Sequence, residues 1–545
     1  MTLPKWLSLA KSMKQSIFRQ EFFMQKVVET LTCKDAFLHS FFDFKKAAYS
    51  TLEVELDTSF PENLEIVISE TAENGRIIHA PGFRTFFQQI VQTGIGHQVI
   101  KLNIPYFQAY GEKGYMRHPT DADGEFAPFR YVEVNRHYGD ITVRRTVYYP
   151  DWDDQASSFA SNCEALNTVW DFCKYSIKAT TVFECYVDGE RERIPYEGDA
   201  VITQLGHFCN ASDYTVARNT IDWFCGIGRD SWFTDWILSV PRLIQDYIFY
   251  SGDQDSLNRW LPKLPEKLLP GCRDKDGLLD SRFYRSQNPG KPDFRDLVDW
   301  PKSERDNYES GESNFVSNAM LFRALEITAE LTGKECYRKE AGQVRQAIRK
   351  RFLKNGLFVD SADSVHTALH TAIFALAFDL AEDAEVEAHK AIIAAKGMAC
   401  SVYCAQYLLE ACFKHGMADH AIKLLTADND RSWLGMLRDG TTISAESWNE
   451  RCKPNLDWTH AWGAAPANIV TRCLSGIRPT APGFAEFVID PQPGNLEFFK
   501  AVQPTPHGSI EIEYSDKKIR FTIPENTRGN FRGQVYEAGT YSLDF

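Results

Sequence analysis

The sequence predicts a multidomain α + β protein in which a long run of paired helices lies between two β regions. Three observations carry this. The chain has 545 residues, and at roughly 150 residues per domain that is enough for three or four domains. Its first and last parts alternate apolar and polar residues, as half-buried strands do. Between them, from Asp151 to Gly476, apolar residues recur at steps of three and four, as on helix faces.

The N-terminal strands are expected at Thr51–Leu56, Leu64–Ile68 and Tyr131–Val134, with turns at Glu73-Asn-Gly and Tyr110-Gly-Glu-Lys-Gly. Alternation bounded by turn residues predicts a β-sandwich. The first twenty residues are expected to form an amphipathic helix or an arm. Helix stripes follow: Trp236, Val240, Leu243, Tyr247 and Tyr250, then Leu257, Leu261, Leu264 and Leu268. Val316, Met320, Ala324, Ile327 and Leu331 stop at Gly333, and Ala341, Val344, Ile348 and Phe352 begin the next. Val402, Ala405, Leu409 and Cys412 precede His415-Gly416, after which Met417, Ala421 and Leu424 continue. These are helix–turn–helix units, about eleven or twelve helices in all. Pairing over such a length suggests a closed toroid or an open solenoid. The lack of a repeat of fixed length disfavours the solenoid. Beyond Gly476, Ile510–Tyr514 and Ile519–Ile523 alternate around Ser515-Asp516, which predicts a hairpin in a small terminal β-sandwich. The expected domains are 1–148 (arm and β-sandwich), 149–476 (helical, catalytic) and 477–545 (β-sandwich).

Composition narrows the class. Hydrophobic residues at 43% with 33 Gly and 24 Pro exclude disordered and collagen-like chains. A net charge of −14 argues against a general nucleic-acid binder, which needs a basic face to neutralise phosphates. No run of roughly 18 apolar residues is present, so no transmembrane helix is expected. Lys5, Lys11, Lys14 and Arg19 interrupt the N-terminus, which lacks the pattern of a secretory signal. Thirteen cysteines without a Cys-x-x-Cys pair are expected to be free thiols, consistent with the cytoplasm. The oligomeric state is open.

Chemistry concentrates in the helical region. Glu184–Asp199 holds six acids and two arginines within sixteen residues, and Gly189, Pro195 and Gly198 make it a loop. Arg191 and Arg193 can fork onto carboxylates and fix them. Asp439–Trp448 carries Glu446 beside Trp448, and Asn455–Ala467 carries His460 between Trp458 and Trp462. Leu297–Asp306 sets acids beside Trp300, and Gly228–Trp236 repeats the style. Flat rings stack on the C–H faces of sugars, and carboxylates accept hydroxyl hydrogen bonds. Convergent loops of this kind point to a carbohydrate site, and two carboxylates on different loops can serve as acid and base for glycosidic cleavage. A satisfied core histidine is the plain alternative for His460. His366 and His370 stand one helical turn apart, yet the Glu of a zinc protease motif is missing. Cys185 has no histidine tied to it and is expected to be a buried structural thiol. No dinucleotide, phosphate-loop or serine-elbow motif is present. No metal or cofactor is implied, and no calcium loop stands out.

Together, in this order and spacing, Asp188-Gly-Glu-Arg-Glu-Arg, Tyr196-Glu-Gly-Asp199, Asp299-Trp-Pro, Thr441-Thr-Ile-Ser-Ala-Glu446 and Trp458-Thr-His-Ala-Trp-Gly resemble the inverting α-L-rhamnosidases of glycoside hydrolase family 78. The likeness runs from about His79 to Glu513. It implies an (α/α)6 catalytic toroid flanked by β-sandwiches and a terminal L-rhamnosyl substrate. By position it implies Glu192 as general acid and Glu446 as general base. Asp188, Arg191, Asp199, His460 and Trp300 would be sugar-binding residues. Trp448 and Tyr196 join that expected set, Tyr196 standing where most members carry Trp. Glu184-Cys185-Tyr186 replaces the usual Asp-Cys-Pro opening, which leaves room for another L-sugar or linkage. Three further readings stay open: another toroid glycosidase, such as an unsaturated uronyl hydrolase; a non-catalytic carbohydrate-binding protein; and a helical protein-interaction scaffold.

Overall fold

The computed structural model describes residues 24–105, 115–119, 124–227, 233–290 and 295–545. The expected N-terminal arm, the turn at 110–114 and the acid–Trp segment at 228–232 lie outside these residues.

Two long strands, Met24–Thr58 and Ala127–Pro150, form the spine of the N-terminal region. They run antiparallel and slip register after Cys33, Phe37 and Asp43. Extra residues of this kind bend a ribbon, and Asp35, Leu38, Arg136 and Gly139 take positive φ at the corner. Val143 pairs with both Leu31 and Val54, so the first strand returns along the other side of the second. The sheet order is Phe86–Gln92, Asn63–Ser69, Ala127–Pro150, Met24–Thr58, Gly96–Lys101. Its two edges are joined by only residues 93–95, so the sheet curls over on itself. Leu52, Val54 and Leu56, Leu64, Ile66 and Ile68, and Val132 and Val134 alternate inward and fill the interior. The expected Glu73-Asn-Gly turn joins Ala72–Glu73 to Arg76–Ile77, with Asn74 and Gly75 both at positive φ as this tight turn requires.

The helical stripes appear where periodicity placed them. Val240–Ser251 ends at left-handed Gly252, and Phe315–Thr332 ends at left-handed Gly333 before Glu335–Phe352 begins. Cys404–Lys414 and Ala418–Leu425 flank Gly416. Among the described residues, twelve helices have seven residues or more. Glu197–Asn210 is buried along its whole length. The last helix, Pro466–Ile469, packs against Glu164–Thr180 and Glu197–Asn210, so the helical run returns to its start. No described helix is long and apolar enough to cross a membrane.

The C-terminal part holds two sheets. Phe498–Thr505, Gly508–Ser515, Lys518–Ile523 and Gly539–Asp544 make four strands of one, with the expected hairpin turning at Asp516 and Lys517. Phe521 of this sheet meets Phe531 of the other at 5.6 Å between ring centroids. The fifth strand comes from elsewhere. Ser158–Ser161, inside the span expected to be helical, pairs with Phe499–Val502. The helical region is thereby stitched to the C-terminal sheet from its first residues.

Candidate active site

Two loops meet at the head of the buried helix Glu197–Asn210. One is 188–196, which enters that helix. Its turn is closed by paired bonds between Asp188 and Ile194: Asp188 N–H donates to the Ile194 carbonyl at 3.0 Å, and Ile194 N–H donates to Asp188 Oδ1 at 2.9 Å. The other is 441–460, which doubles back so that Ser444–Glu446 and Asp457–His460 lie side by side. His460 N–H donates to the Ser444 carbonyl at 2.8 Å, and Glu446 N–H to the Asp457 carbonyl at 2.9 Å.

Arg191 joins the loops. Its guanidinium forks onto Glu446, with Nη1–Oε2 at 2.9 Å and Nη2–Oε1 at 3.0 Å. The same Nη2 donates to Glu192 Oε1 at 3.0 Å, and Tyr196 Oη donates to Glu192 Oε2 at 2.9 Å. Lys453 Nζ lies 3.0 Å from Glu446 Oε2. Burial opposes ionisation of Glu446, but the charges of His460, Arg191 and Lys453 outweigh it and hold this carboxyl below the ordinary glutamate range. His460 Nε2 donates to Asp199 Oδ1 at 2.8 Å. Burial works against the imidazolium there, yet the bond to Asp199 and the charges of Asp199 and Glu446 lift His460 above its usual value. Its Nδ1 has no hydrogen-bond partner among the described residues. Asp188 is pushed up by burial and by the charges of Glu192 and Asp199. Asp199 is pushed up by burial despite His460.

Rings form the wall behind these groups. Tyr196 meets Trp236 at 5.7 Å, Trp236 meets Trp462 at 6.1 Å, and His460 meets Trp462 at 4.7 Å. Gly198 is needed here, since a Cβ would fall 2.6 Å from the Trp236 ring. Of the expected site residues, Asp188, Arg191, Glu192, Tyr196, Asp199, Glu446 and His460 thus converge. Trp300 is half-buried on a loop pinned by Asp299. Asp299 accepts from His370 Nε2 at 2.7 Å, Ser401 N–H at 2.9 Å, Trp300 N–H at 2.8 Å and the Ser401 hydroxyl. Asp299, His370 and Cys404 cluster closely enough to hold an ion. The Asp299 oxygens are already satisfied by protein donors, which makes the cluster a brace for the Trp300 loop. His366 is not part of it and pairs with Asp360 at 2.6 Å.

Trp448 makes none of the contacts above among the described residues. It is 1% exposed, meets Trp433 edge-on at 5.1 Å and donates Nε1–H to the Cys400 carbonyl at 2.7 Å. Its ring is core beneath the Glu446 loop, because its indole finds a backbone acceptor inside. Cys185 is buried and burial pushes its thiol well above the usual value, as for a structural cysteine. None of the thirteen cysteines forms a disulfide among the described residues. Sequence reasoning missed Lys453 and Asp457. Lys453 carried no motif signal, being one basic residue before Pro454. Asp457 was visible beside Trp458, but nothing in the sequence ties it to Arg191.

The chain matches the bacterial α-L-rhamnosidase six-hairpin glycosidase domain over residues 154–254 and 277–474, and the bacterial α-L-rhamnosidase C-terminal domain over 476–532. It is 25% identical over 272 residues to an α-L-rhamnosidase of Alteromonas sp. (strain LOR), covering 45% of this chain and 29% of that protein. It therefore spans under a third of that relative's length. The α-L-rhamnosidase structure from Dictyoglumus thermophilum superposes with a TM-score of 0.73 at 15% identity, over 94% of this chain and 63% of that one. The Streptomyces avermitilis α-L-rhamnosidase complexed with L-rhamnose superposes with a TM-score of 0.72 at 15% identity, over 95% and 53%. At these identities the superpositions speak to fold, whereas the domain match covers more than half of the sequence. The chain belongs to the bacterial α-L-rhamnosidase six-hairpin glycosidase family.

Proposed function

We propose that the protein is a glycoside hydrolase that releases terminal α-L-rhamnose in one step, with inversion. In this reading an (α/α)6 toroid at 149–476 stands between an N-terminal arm and β-sandwich domain at 1–148 and a β-sandwich domain at 477–545. The observation that carries the proposal is the pair Glu192 and Glu446, brought from separate loops onto one guanidinium. Glu446, kept ionised by His460, Arg191 and Lys453, is suited to take a proton from water. Glu192 sits among the acids Asp188 and Asp199 and gives a proton to the leaving oxygen. Asp188, Asp199 and the unpartnered Nδ1 of His460 offer acceptors and a donor for sugar hydroxyls. Tyr196 and Trp300 offer ring faces.

Inversion places a water between sugar and base, and carboxyl groups in such enzymes lie roughly 6.5–9.5 Å apart. Here one Arg191 nitrogen is 3.0 Å from an oxygen of each glutamate, so those two oxygens can be no further apart than twice that distance. In this reading the entering sugar draws Arg191 off Glu192, which opens the place for water. The relative solved with L-rhamnose, sharing this fold, supports the choice of sugar.

The test is release of L-rhamnose from para-nitrophenyl α-L-rhamnopyranoside and from natural rhamnosides by the wild type, Glu192→Gln and Glu446→Gln. The wild type should release rhamnose, and both variants should fold and be nearly inactive on natural rhamnosides. No release from any rhamnoside would overturn the reading. Wild-type turnover of a natural rhamnoside by either variant would overturn that residue's role.

A further inference from the structure

Asp457 lies outside the acid–base pair and touches both of its loops. Its Oδ2 accepts the Arg191 N–H at 2.8 Å. Its Oδ1 accepts the Thr459 N–H at 2.8 Å and the Thr459 hydroxyl at 2.7 Å. That hydroxyl in turn accepts the Glu190 N–H at 3.2 Å. Two successive peptide groups of the acid loop, at Glu190 and Arg191, therefore hang from Asp457 directly or through Thr459. The main chain of Asp457 faces the other way. Its carbonyl accepts the Glu446 N–H at 2.9 Å, and its N–H donates to Glu446 Oε2 at 3.2 Å. Gly189 leaves the space for this contact, since a Cβ there would stand 2.5 Å from Asp457 Oδ2. The carboxylate is buried, so these bonds are not traded for water.

We propose that Asp457 is a positioning residue that sets the acid Glu192 against the base Glu446: its side chain holds the acid loop and its main chain holds the base. The proposal rests on the hydrolase reading above. The asymmetry between side chain and main chain gives it a distinctive signature. Glu446 keeps Lys453 and the Asp457 main chain when the Asp457 side chain is changed. Glu192 loses the anchor of the residue next to it. Displacing an acid matters most when the leaving group needs a proton, and a para-nitrophenolate needs little help.

The experiment compares kcat/KM on para-nitrophenyl α-L-rhamnopyranoside and on an alkyl α-L-rhamnoside for wild type, Asp457→Asn and Gly189→Ala, with Tm recorded for each. Asp457→Asn should lose no more than about 5-fold on the aryl glycoside and about 100-fold on the alkyl one. Gly189→Ala, which pushes the carboxylate aside while leaving it in the sequence, should show the same selective loss. It decides the matter if Asp457→Asn does not fold. Equal losses on both glycosides for the folded variants would overturn the positioning role while the hydrolase reading stands. A wild type that cleaves neither glycoside would overturn that reading and this role with it.

Discussion

Glu446 and Glu192 share Arg191, but their surroundings differ. Glu446 is 4% exposed and faces Arg191 through both oxygens, with Lys453 and the Asp457 N–H added. These three contacts favour the carboxylate. Glu192 is 15% exposed, is bonded by one guanidinium nitrogen and one phenol, and stands near Asp188 and Asp199, both pushed up by burial. The loops are also held differently. The base loop is a doubled strand tied by backbone bonds, while the acid loop is tied to the rest of the molecule largely through side chains. Asp457 supplies one such tie, and Arg193, within the acid loop itself, supplies another. It forks onto Glu190 at 2.8 Å and meets Glu125 and the Phe126 carbonyl at 2.9 Å each, which fastens the acid loop to the N-terminal sheet. The lesson is a division of surroundings: Glu446 is held below the ordinary glutamate range by cations, whereas Glu192 stands beside two carboxyls that burial pushes up, and the proposed mechanism makes the first the base and the second the acid.

The largest effects should come from removing that division. Glu446→Gln should lower kcat about 1,000-fold or more whatever the leaving group, since no base is left to activate water. Glu192→Gln should match it on natural rhamnosides and fall well short of it on the para-nitrophenyl glycoside. Equal losses on both substrates would erase the distinction between the two loops. Arg191→Met, which removes the shared cation, should cost about 100-fold in kcat/KM. A loss below about 5-fold would show that the bridge is incidental.

Lys453→Met sharpens the comparison through pH. The lysine charge is one of those that lower Glu446, so its loss raises that carboxyl. The base then protonates at higher pH, and the acidic limb of kcat/KM should move toward neutrality by up to about one pH unit. An unmoved limb would free Glu446 of that cation.

Much of this was legible in the sequence, and the part that was not has a physical reason. Helix stops at Gly252, Gly333 and Gly416 are local events of left-handed backbone, so the sequence shows them directly. The acid cluster and the His460 loop stood out because their residue types are dense. Lys453 on Glu446 and Asp457 on Arg191 did not. The second of these contacts joins positions 266 residues apart, and no local pattern marks it. Ser158–Ser161 was missed for a similar reason. Four residues that complete a sheet with Phe499–Val502 have no period of their own. Trp448 shows the converse: it stands two residues from Glu446 in sequence, yet its indole is bonded inward to the Cys400 carbonyl against Trp433.

The smallest expected effect concerns stability. Burial pushes Glu70 up to about 8, Glu190 up to about 7 and Asp235 up to about 7. An unfolded Glu titrates at about 4.3 and an unfolded Asp at about 3.9. Between those values the folded state binds more protons than the unfolded one, so stability is highest on the acid side of this window and falls as pH rises through it. Tm should decline from about pH 5 to about pH 8, and Glu70→Gln should flatten part of that decline. A slope unchanged in Glu70→Gln would assign the effect to the other two carboxyls.

The most direct test of the acid–base account is the anomer first released. Proton NMR of the wild type acting on para-nitrophenyl α-L-rhamnopyranoside should show β-L-rhamnose at first, with the α form growing in by mutarotation. An initial α-L-rhamnose signal would mean retention. Glu446 would then attack the sugar itself, and the division between a water-activating base and a proton-giving acid would be wrong.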